Sequence, residues 1–310
     1  MTRPALSVVV PVYNGARSLD ELATRLEATL REHCERFELI LVNDGSRDES
    51  WSKIQELAAS KSWIRGIDLA RNCGQHNALL CGIRAARCEL IVTLDDDCQN
   101  PPEEIPKLLA TLDETGDVVY GVPAKRAHGL YRNVGSYLLK YSLKVGMGVD
   151  KAPDLSAFRL MRTRLRDTFA GYSAPFVTLD VLLAWSTQRF QSVIVAHDER
   201  QHGRSNYTFL KLVGTALTAV TGYSTIPLRL ASILGLAFTV FGGISLTWVL
   251  GAVFVYGRAV PGFAFQAAIV IIFSGIQLLL LGIFGEFLAR IHMRSMDKPP
   301  YVVRSEVGSD

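Results

Sequence analysis

No G-x-G-x-x-G follows the first apolar run of this chain, and G-x-x-x-x-G-K-[ST] is absent throughout. Neither a dinucleotide fingerprint nor a P-loop is therefore present to hold a phosphate. Charge of one sign is also scarce: 33 Lys and Arg face 30 Asp and Glu over 310 residues. So even a balance, with no basic run interleaved with aromatics, leaves no footprint for nucleic acid. The five cysteines, Cys34, Cys73, Cys81, Cys88 and Cys98, are odd in number and lack zinc-type pairing, which reads as reduced cytosolic thiols. The opening MTRPALSVVVPVYNG has an apolar run too short for a signal sequence and no small-residue cleavage site. It is expected to be a strand.

Charge is missing altogether from two places. None occurs from Leu230 to Gly257, and after Arg258 the next is Glu286, leaving two apolar stretches of roughly 27 residues each. A bilayer core takes about 20 helical residues, so a membrane hairpin is expected, with spans at about 230–256 and 264–288. The short Gly-Pro loop Tyr256 to Phe263 puts both ends on one side. Lys211, Arg229, Arg290, Arg294 and Lys298 flank the hairpin on its terminal side, against Arg258 alone in the loop. The excess predicts both termini on the cytoplasmic side of the membrane. The expected division is a catalytic domain over 1–206, a juxtamembrane interfacial region over 207–228, the two spans within 229–291, and a cytoplasmic tail over 292–310.

What is present begins with Glu89 to Glu103, ELIVTLDDDCQNPPE. Leu90 to Leu94 is a run suited to a buried strand, and it delivers Asp95, Asp96 and Asp97 at its end. Three adjacent carboxylates repel, and burying them is costly without cations or donors. Asp95 and Asp97 are spaced to face one ion, and Gln99 adds a neutral oxygen. An all-oxygen set suits Mg²⁺ or Mn²⁺ rather than zinc. An acidic helix cap ahead of Pro101 is the plainer alternative.

Strands and helices alternate before that point. Leu6 to Val10 closes on Pro11, with Tyr13-Asn14-Gly15 as a turn and a helical pattern through Leu19, Leu22, Leu26 and Leu30. Phe37 to Val42 ends in Asn43-Asp44-Gly45-Ser46, with a helix through Trp51, Ile54 and Leu57. Ile64 to Leu69 precedes Arg71-Asn72-Cys73-Gly74, with a helix from Gln75 to Ala86. This rhythm predicts a parallel, doubly wound α/β sheet with its ligands at the strand C-terminal ends. Asp44, Asn72 and the Asp95 cluster should then meet in one crevice. Asp44 could accept from a base or ribose, or be a turn residue before Gly45.

The segments V-V-V-P-V-Y-N, V-N-D-G-S, N-C-G-Q-H-N-A and D-D-D-C-Q-N-P-P-E-E, with F-R-L at Phe158, R-x-x-G-R-S-N-Y at Arg200 and G-E-F-L-A-R-I at Gly285, resemble family-2 glycosyltransferases of the GT-A fold. More narrowly they are similar to the polyprenyl-phosphate glycosyltransferases, and Gly74-Gln75-His76 and Gln99 to Pro106 lean toward the formamidoarabinose branch. The resemblance implies that Asp44 contacts the nucleotide base, and that Pro11, Tyr13, Asn14, Asn72, Gly74, Asp95 and Asp96 complete the donor pocket. Asp95, Asp97 and Gln99 would hold the metal and diphosphate. Gly15, Asn43 and Ala157 depart from the pattern, leaving Asp154 as the nearest carboxylate on its loop.

The middle of the chain supplies cations, and an arginine fork matches phosphate geometry. Arg132, Arg159, Arg200 and Arg204, with Ser205, are the expected acceptor-phosphate set. Asp97, through the metal, and Asp154, as orienting group or base, are the candidate catalytic carboxylates. The expected activity is metal-dependent, inverting transfer of a sugar from a nucleotide-diphosphate donor, UDP by preference, to a polyprenyl phosphate such as undecaprenyl phosphate. Its partners are those two substrates and the bilayer, with a homo-oligomer left open. A processive polysaccharide synthase lacks support because no Q-x-x-R-W occurs and two spans are too few for a channel. A degenerate scaffold or flippase-associated subunit is disfavoured by the intact Asp95-x-Asp97 with Gln99.

Overall fold

The computed structural model describes residues 3–123, 156–173, 178–198, 226–256, 263–296 and 298–308. They fall into two units. The larger holds residues up to 198 together with 298–308, and the smaller holds the long helices between.

The larger unit is built on one eight-stranded sheet. Strands β1 (Ala5–Val12), β2 (Arg36–Asn43), β3 (Ile64–Leu69) and β4 (Leu90–Thr93) alternate with helices α1 (Leu19–His33), α2 (Ser50–Ser60) and α3 (Gln75–Ala85). After them come α4 (Ile105–Thr111), β5 (Val118–Pro123), β6 (Arg159–Arg162), α5 (Leu165–Thr168), α6 (Leu179–Ser186), β7 (Phe190–Val195) and finally β8 (Val303–Val307). The strand order is β7-β5-β6-β4-β1-β2-β3-β8.

Alternation along β1 explains why its sequence is apolar apart from Ser7, whose buried hydroxyl donates to Glu38 Oε1 at 2.6 Å. Leu6, Val8, Val10 and Val12 enter the core shared with Leu19, Leu22, Leu26 and Leu30 of α1 and with Ile54 of α2. Val9 enters the opposite core with Ala78, Leu79 and Ile83 of α3. Both faces are covered, so no strand position is left for a polar residue to face water. Each such side chain taken from water contributes about 1.5–3 kcal/mol. The packing is tight enough that a Cβ at Gly82 would lie 2.4 Å from Val9 Cγ1.

The predicted wholly parallel sheet is corrected to a mixed one. β1 pairs in parallel with β2 and β4, and β2 with β3, but β6 runs antiparallel between β4 and β5. The tail differs as well. Residues 303–307, within the expected tail 292–310, form β8, antiparallel to β3. The reason is physical: without β8 the outer N–H and C=O groups of β3 would form an open sheet edge, and Val307 packs on the α1-side core.

The smaller unit consists of α7 (Ile226–Tyr256) and α8 (Phe263–Ser295), of 31 and 33 residues. At 1.5 Å per residue each is about 45 Å long or more. Phe238 and Phe273 meet edge to face, 5.7 Å between centroids. Large apolar side chains point outward, among them Leu236 (67% exposed), Trp248 (71%) and Leu281 (67%). Among the described residues no helix is long and apolar enough to cross a membrane; the unbroken stretches with described side chains are 230–245 and 273–289. Residues 207–225 of the expected interfacial region 207–228, and 257–262 of the expected loop Tyr256 to Phe263, lie outside the described residues.

Candidate active site

Four parallel strands end at one edge of the sheet, and their loops enclose a cavity of about 290 Å³. Pro11, Val12, Tyr13, Asp44, Asn72, Gly74, Gln75, Asp95, Asp96 and Asp97 line it. A larger hollow of about 760 Å³ lies beside Arg87, Glu89, Arg162 and Arg164. There Arg162 is committed to the Gly116 and Asp113 carbonyls and Arg164 to Asp117, so it offers less chemistry.

The first wall follows β1. Asn14 takes the left-handed conformation, φ 56°, which Asn tolerates better than most residues. Its N–H donates to Ser46 Oγ at 3.0 Å, and its Oδ1 accepts from Arg47 N at 2.8 Å. Tyr13 is left 47% exposed, an open ring face at the mouth. A Cβ at Gly15 would fall 2.1 Å from Asp96 Oδ2, so a larger residue there would need the Asp96 carboxylate to turn aside.

The second wall is Asp44, 3% exposed. Oδ1 accepts from Cys73 N at 2.6 Å and Oδ2 from Gly74 N at 2.9 Å, while Asn72 Nδ2 donates to the Asp44 carbonyl at 3.1 Å. Gly45 and Gly74 supply the positive φ angles, 64° and 92°, that bring the two loops face to face. Burial pushes the Asp44 carboxyl above its ordinary value despite the two N–H bonds.

The third wall is the acidic tip after β4. Gln75, at the start of α3, donates from Nε2 to Asp95 Oδ1 at 2.6 Å. Asp97 Oδ1 accepts from Gln99 N at 3.2 Å. Burial first, then the Asp95 and Asp97 charges, push Asp96 up to about 7. Among the described residues no group of three or more His, Cys, Asp or Glu side chains is arranged to hold a metal ion.

Of the expected residues, Pro11, Tyr13, Asp44, Asn72, Gly74, Asp95, Asp96 and Asp97 line this cavity; Asn14 flanks it through the Ser46 and Arg47 contacts, and Gln99 is not part of its lining. Gln75 was not identified as a contact of the acids, and Ser46 was missed as the partner of Asn14; both contacts depend on loop conformation. Asp154, Arg132, Arg200, Arg204 and Ser205 lie outside the described residues.

Arg159 is placed differently from the other expectations. It is 2% exposed, with Nη1 2.5 Å from Asp180 Oδ1 and its guanidinium over the Tyr120 ring at 5.8 Å. Tyr120 Oη donates to the same Asp180 oxygen at 2.9 Å. In this geometry the guanidinium expected to bind the acceptor phosphate is buried and held between a carboxylate and a ring. Nearby, burial lowers the pKa of His76, whose Nδ1 accepts from Leu179 N at 3.4 Å.

A mixed sheet of this order, with acids and amides collected where its parallel strands end, defines the GT-A-like fold of nucleotide-sugar transferases. Residues 7–169 match the family model described as Glycosyl transferase family 2, and the chain belongs to that family. It is a glycosyltransferase. It is 33% identical to an undecaprenyl-phosphate 4-deoxy-4-formamido-L-arabinose transferase from Pseudomonas savastanoi pv. phaseolicola, over 98% of this chain and 91% of the relative. Relatives of the same description from Proteus mirabilis (33% identical, 98% and 94% covered) and Pseudomonas aeruginosa (35%, 97% and 90%) are similar to it. Among solved structures, glucosyl-3-phosphoglycerate synthase from Mycobacterium tuberculosis, in complex with Mn²⁺, UDP and glucosyl-3-phosphoglycerate, superposes with a TM-score of 0.51 at 17% identity. The match covers 70% of this chain and 78% of that one, a likeness of fold.

Proposed function

We propose that this chain transfers a sugar from a uridine diphosphate donor to undecaprenyl phosphate at the cytoplasmic face of the inner membrane. The observation that carries the reading is the cavity in which Asp44, Asn72 and Gly74 face Asp95, Asp96 and Asp97. Full-length relatives described as undecaprenyl-phosphate transferases support the acceptor, and the Mn²⁺ and UDP of the structural neighbour support the donor and metal. Their shared description also favours a 4-deoxy-4-formamido-L-arabinosyl group as the sugar transferred.

The residues present fit a divalent cation. Asp95, Asp96 and Asp97 line the cavity with carboxylate oxygens alone, a hard, oxygen-rich and negative donor set. Asp95, Asp97 and Gln99 would hold the ion, which when bound offsets the charge of the departing diphosphate. The chain's own contribution is alignment. Asp44 and the 72–74 loop seat the nucleoside, and Gln75 fixes Asp95. Arg132, Arg200, Arg204 and Ser205 would orient the acceptor phosphate, with Asp154 as a further orienting group or base. A phosphate monoester has a second pKa near 6, so its oxygen is already anionic and attacks in line, inverting the anomeric centre. No strong base is needed.

The membrane hairpin belongs to the same proposal. It rests on the two charge-free stretches and on α7 and α8, whose outward faces carry Leu, Ile, Phe and Trp. Calorimetric titration of the detergent-purified full chain tests the donor site. UDP should bind with Mn²⁺ and at least about tenfold more weakly without it; equal affinity in both conditions would remove the metal from the reading.

A further inference from the structure

The chain after α8 returns to the catalytic sheet and reaches the donor pocket from behind. Beyond the β3–β8 ladder, the Val302 carbonyl accepts from Ala70 N at 2.8 Å. The register slips between Asp68 and Leu69, an irregularity of the kind that re-aims a side chain. Arg304, the residue at the slip, puts Nη2 on the Ala70 carbonyl at 2.7 Å and Nη1 3.5 Å from Asp68 Oδ2.

Both targets lead into the pocket. Asp68 is 3% exposed, and its other oxygen accepts from Asn43 Nδ2 at 2.7 Å. Asn43 Oδ1 in turn accepts from Ser46 N at 3.3 Å, and Ser46 Oγ accepts from Asn14 N. Ala70 opens the loop whose Cys73 and Gly74 N–H groups grip Asp44. One exposed cation on the last strand thus braces two of the three walls. Behind it Tyr301 lies 5.8 Å from the Arg84 guanidinium, with Arg84 Nη1 donating to its hydroxyl at 3.3 Å, which anchors the start of the returning segment.

We propose that Arg304 is a positioning residue for nucleotide binding, and that β8 is a working part of the donor site. The substrate side of this inference rests on the reading of that cavity as a UDP pocket. Arg304 contacts no substrate. It compensates a buried aspartate and fixes the loop ahead of Asn72, and through them it sets where Asn14 and Asp44 stand.

The test uses the full chain in detergent, as wild type, Arg304→Ala and Arg304→Lys. Arg304→Ala should weaken UDP binding in the presence of Mn²⁺ by about tenfold and raise the KM for the donor alike, with kcat and the KM for undecaprenyl phosphate within about twofold. Arg304→Lys keeps the charge but not the fork, and should recover much of the loss. Amide exchange at Cys73 and Gly74, read without any nucleotide, should quicken in Arg304→Ala and less in Arg304→Lys. Unchanged exchange at those amides would overturn the positioning role. So would a lowered melting temperature with UDP affinity intact, which is the signature of a merely structural strand. A wild type that ignores UDP while exchange responds as expected would instead overturn the donor reading and leave the bracing demonstrated. If Arg304→Ala does not fold, the Lys variant alone decides through the same exchange readout.

Discussion

Both oxygens of the Asp44 carboxylate accept loop N–H bonds, yet burial holds its pKa above the ordinary value. An acid raised in this way contributes stability below its unfolded-state pKa and loses it as pH rises through the folded-state value. The wild type should therefore gain thermal stability relative to Asp44→Asn as pH falls from neutral into the carboxylate range; paired melting curves check this, and the opposite drift would contradict it. On the proposed function, Asp97→Asn removes a charged metal ligand and leaves Asp44 and the 72–74 loop unchanged. Transfer should fall by at least about a hundredfold, while UDP affinity measured without metal stays as in the wild type. The carboxylates were legible in the sequence because three acids at the end of an apolar run demand an explanation. The approach of Asp96 to Gly15 and the bond from Gln75 to Asp95 were not. Each needs the conformation of a loop, which local pattern leaves open.

At the scale of elements, β1 to β4 and α1 to α3 came out of the sequence with ends close to those observed, because strands buried on both faces are dominated by apolar residues and the helices keep a stripe such as Leu19, Leu22, Leu26 and Leu30. The antiparallel β6 and the edge strand β8 did not. Each is four or five residues long and carries arginine, and its partner is distant in sequence, so only tertiary pairing selects the extended form. The cysteines show how elements set reactivity. All five are free thiols; burial pushes Cys34 and Cys98 up to about 11 and Cys81 up to about 12. Cys73, in the loop ahead of α3, is the one that is not fully buried. Brief alkylation of the folded protein at neutral pH should give one main adduct, at Cys73 by peptide mapping. Bound UDP should slow its formation, and equal labelling with and without UDP would separate that loop from the pocket.

For the molecule as a whole, the proposed topology holds the sheet and both termini on the cytoplasmic side and exposes only the short loop between the long helices. In intact cells Gly262→Cys should react with an impermeant thiol reagent and Ser309→Cys should not. The reverse pattern would turn the chain over. Such an arrangement suits a donor that is soluble in the cytoplasm and an acceptor whose chain stays in lipid. The sheet, the acids and the apolar stretches each stand for one part of that chemistry, and a direct assay joins them. Purified full-length protein is incubated with undecaprenyl phosphate, Mn²⁺ and a panel of labelled UDP-, GDP- and dTDP-sugars, and label in the lipid phase is counted. Label should enter the lipid from a UDP-sugar, only when undecaprenyl phosphate and metal are both present, and Asp97→Asn should abolish it. Consumption of a nucleotide sugar with no label in the lipid, or transfer unaffected by removing the metal, would contradict the proposed reaction.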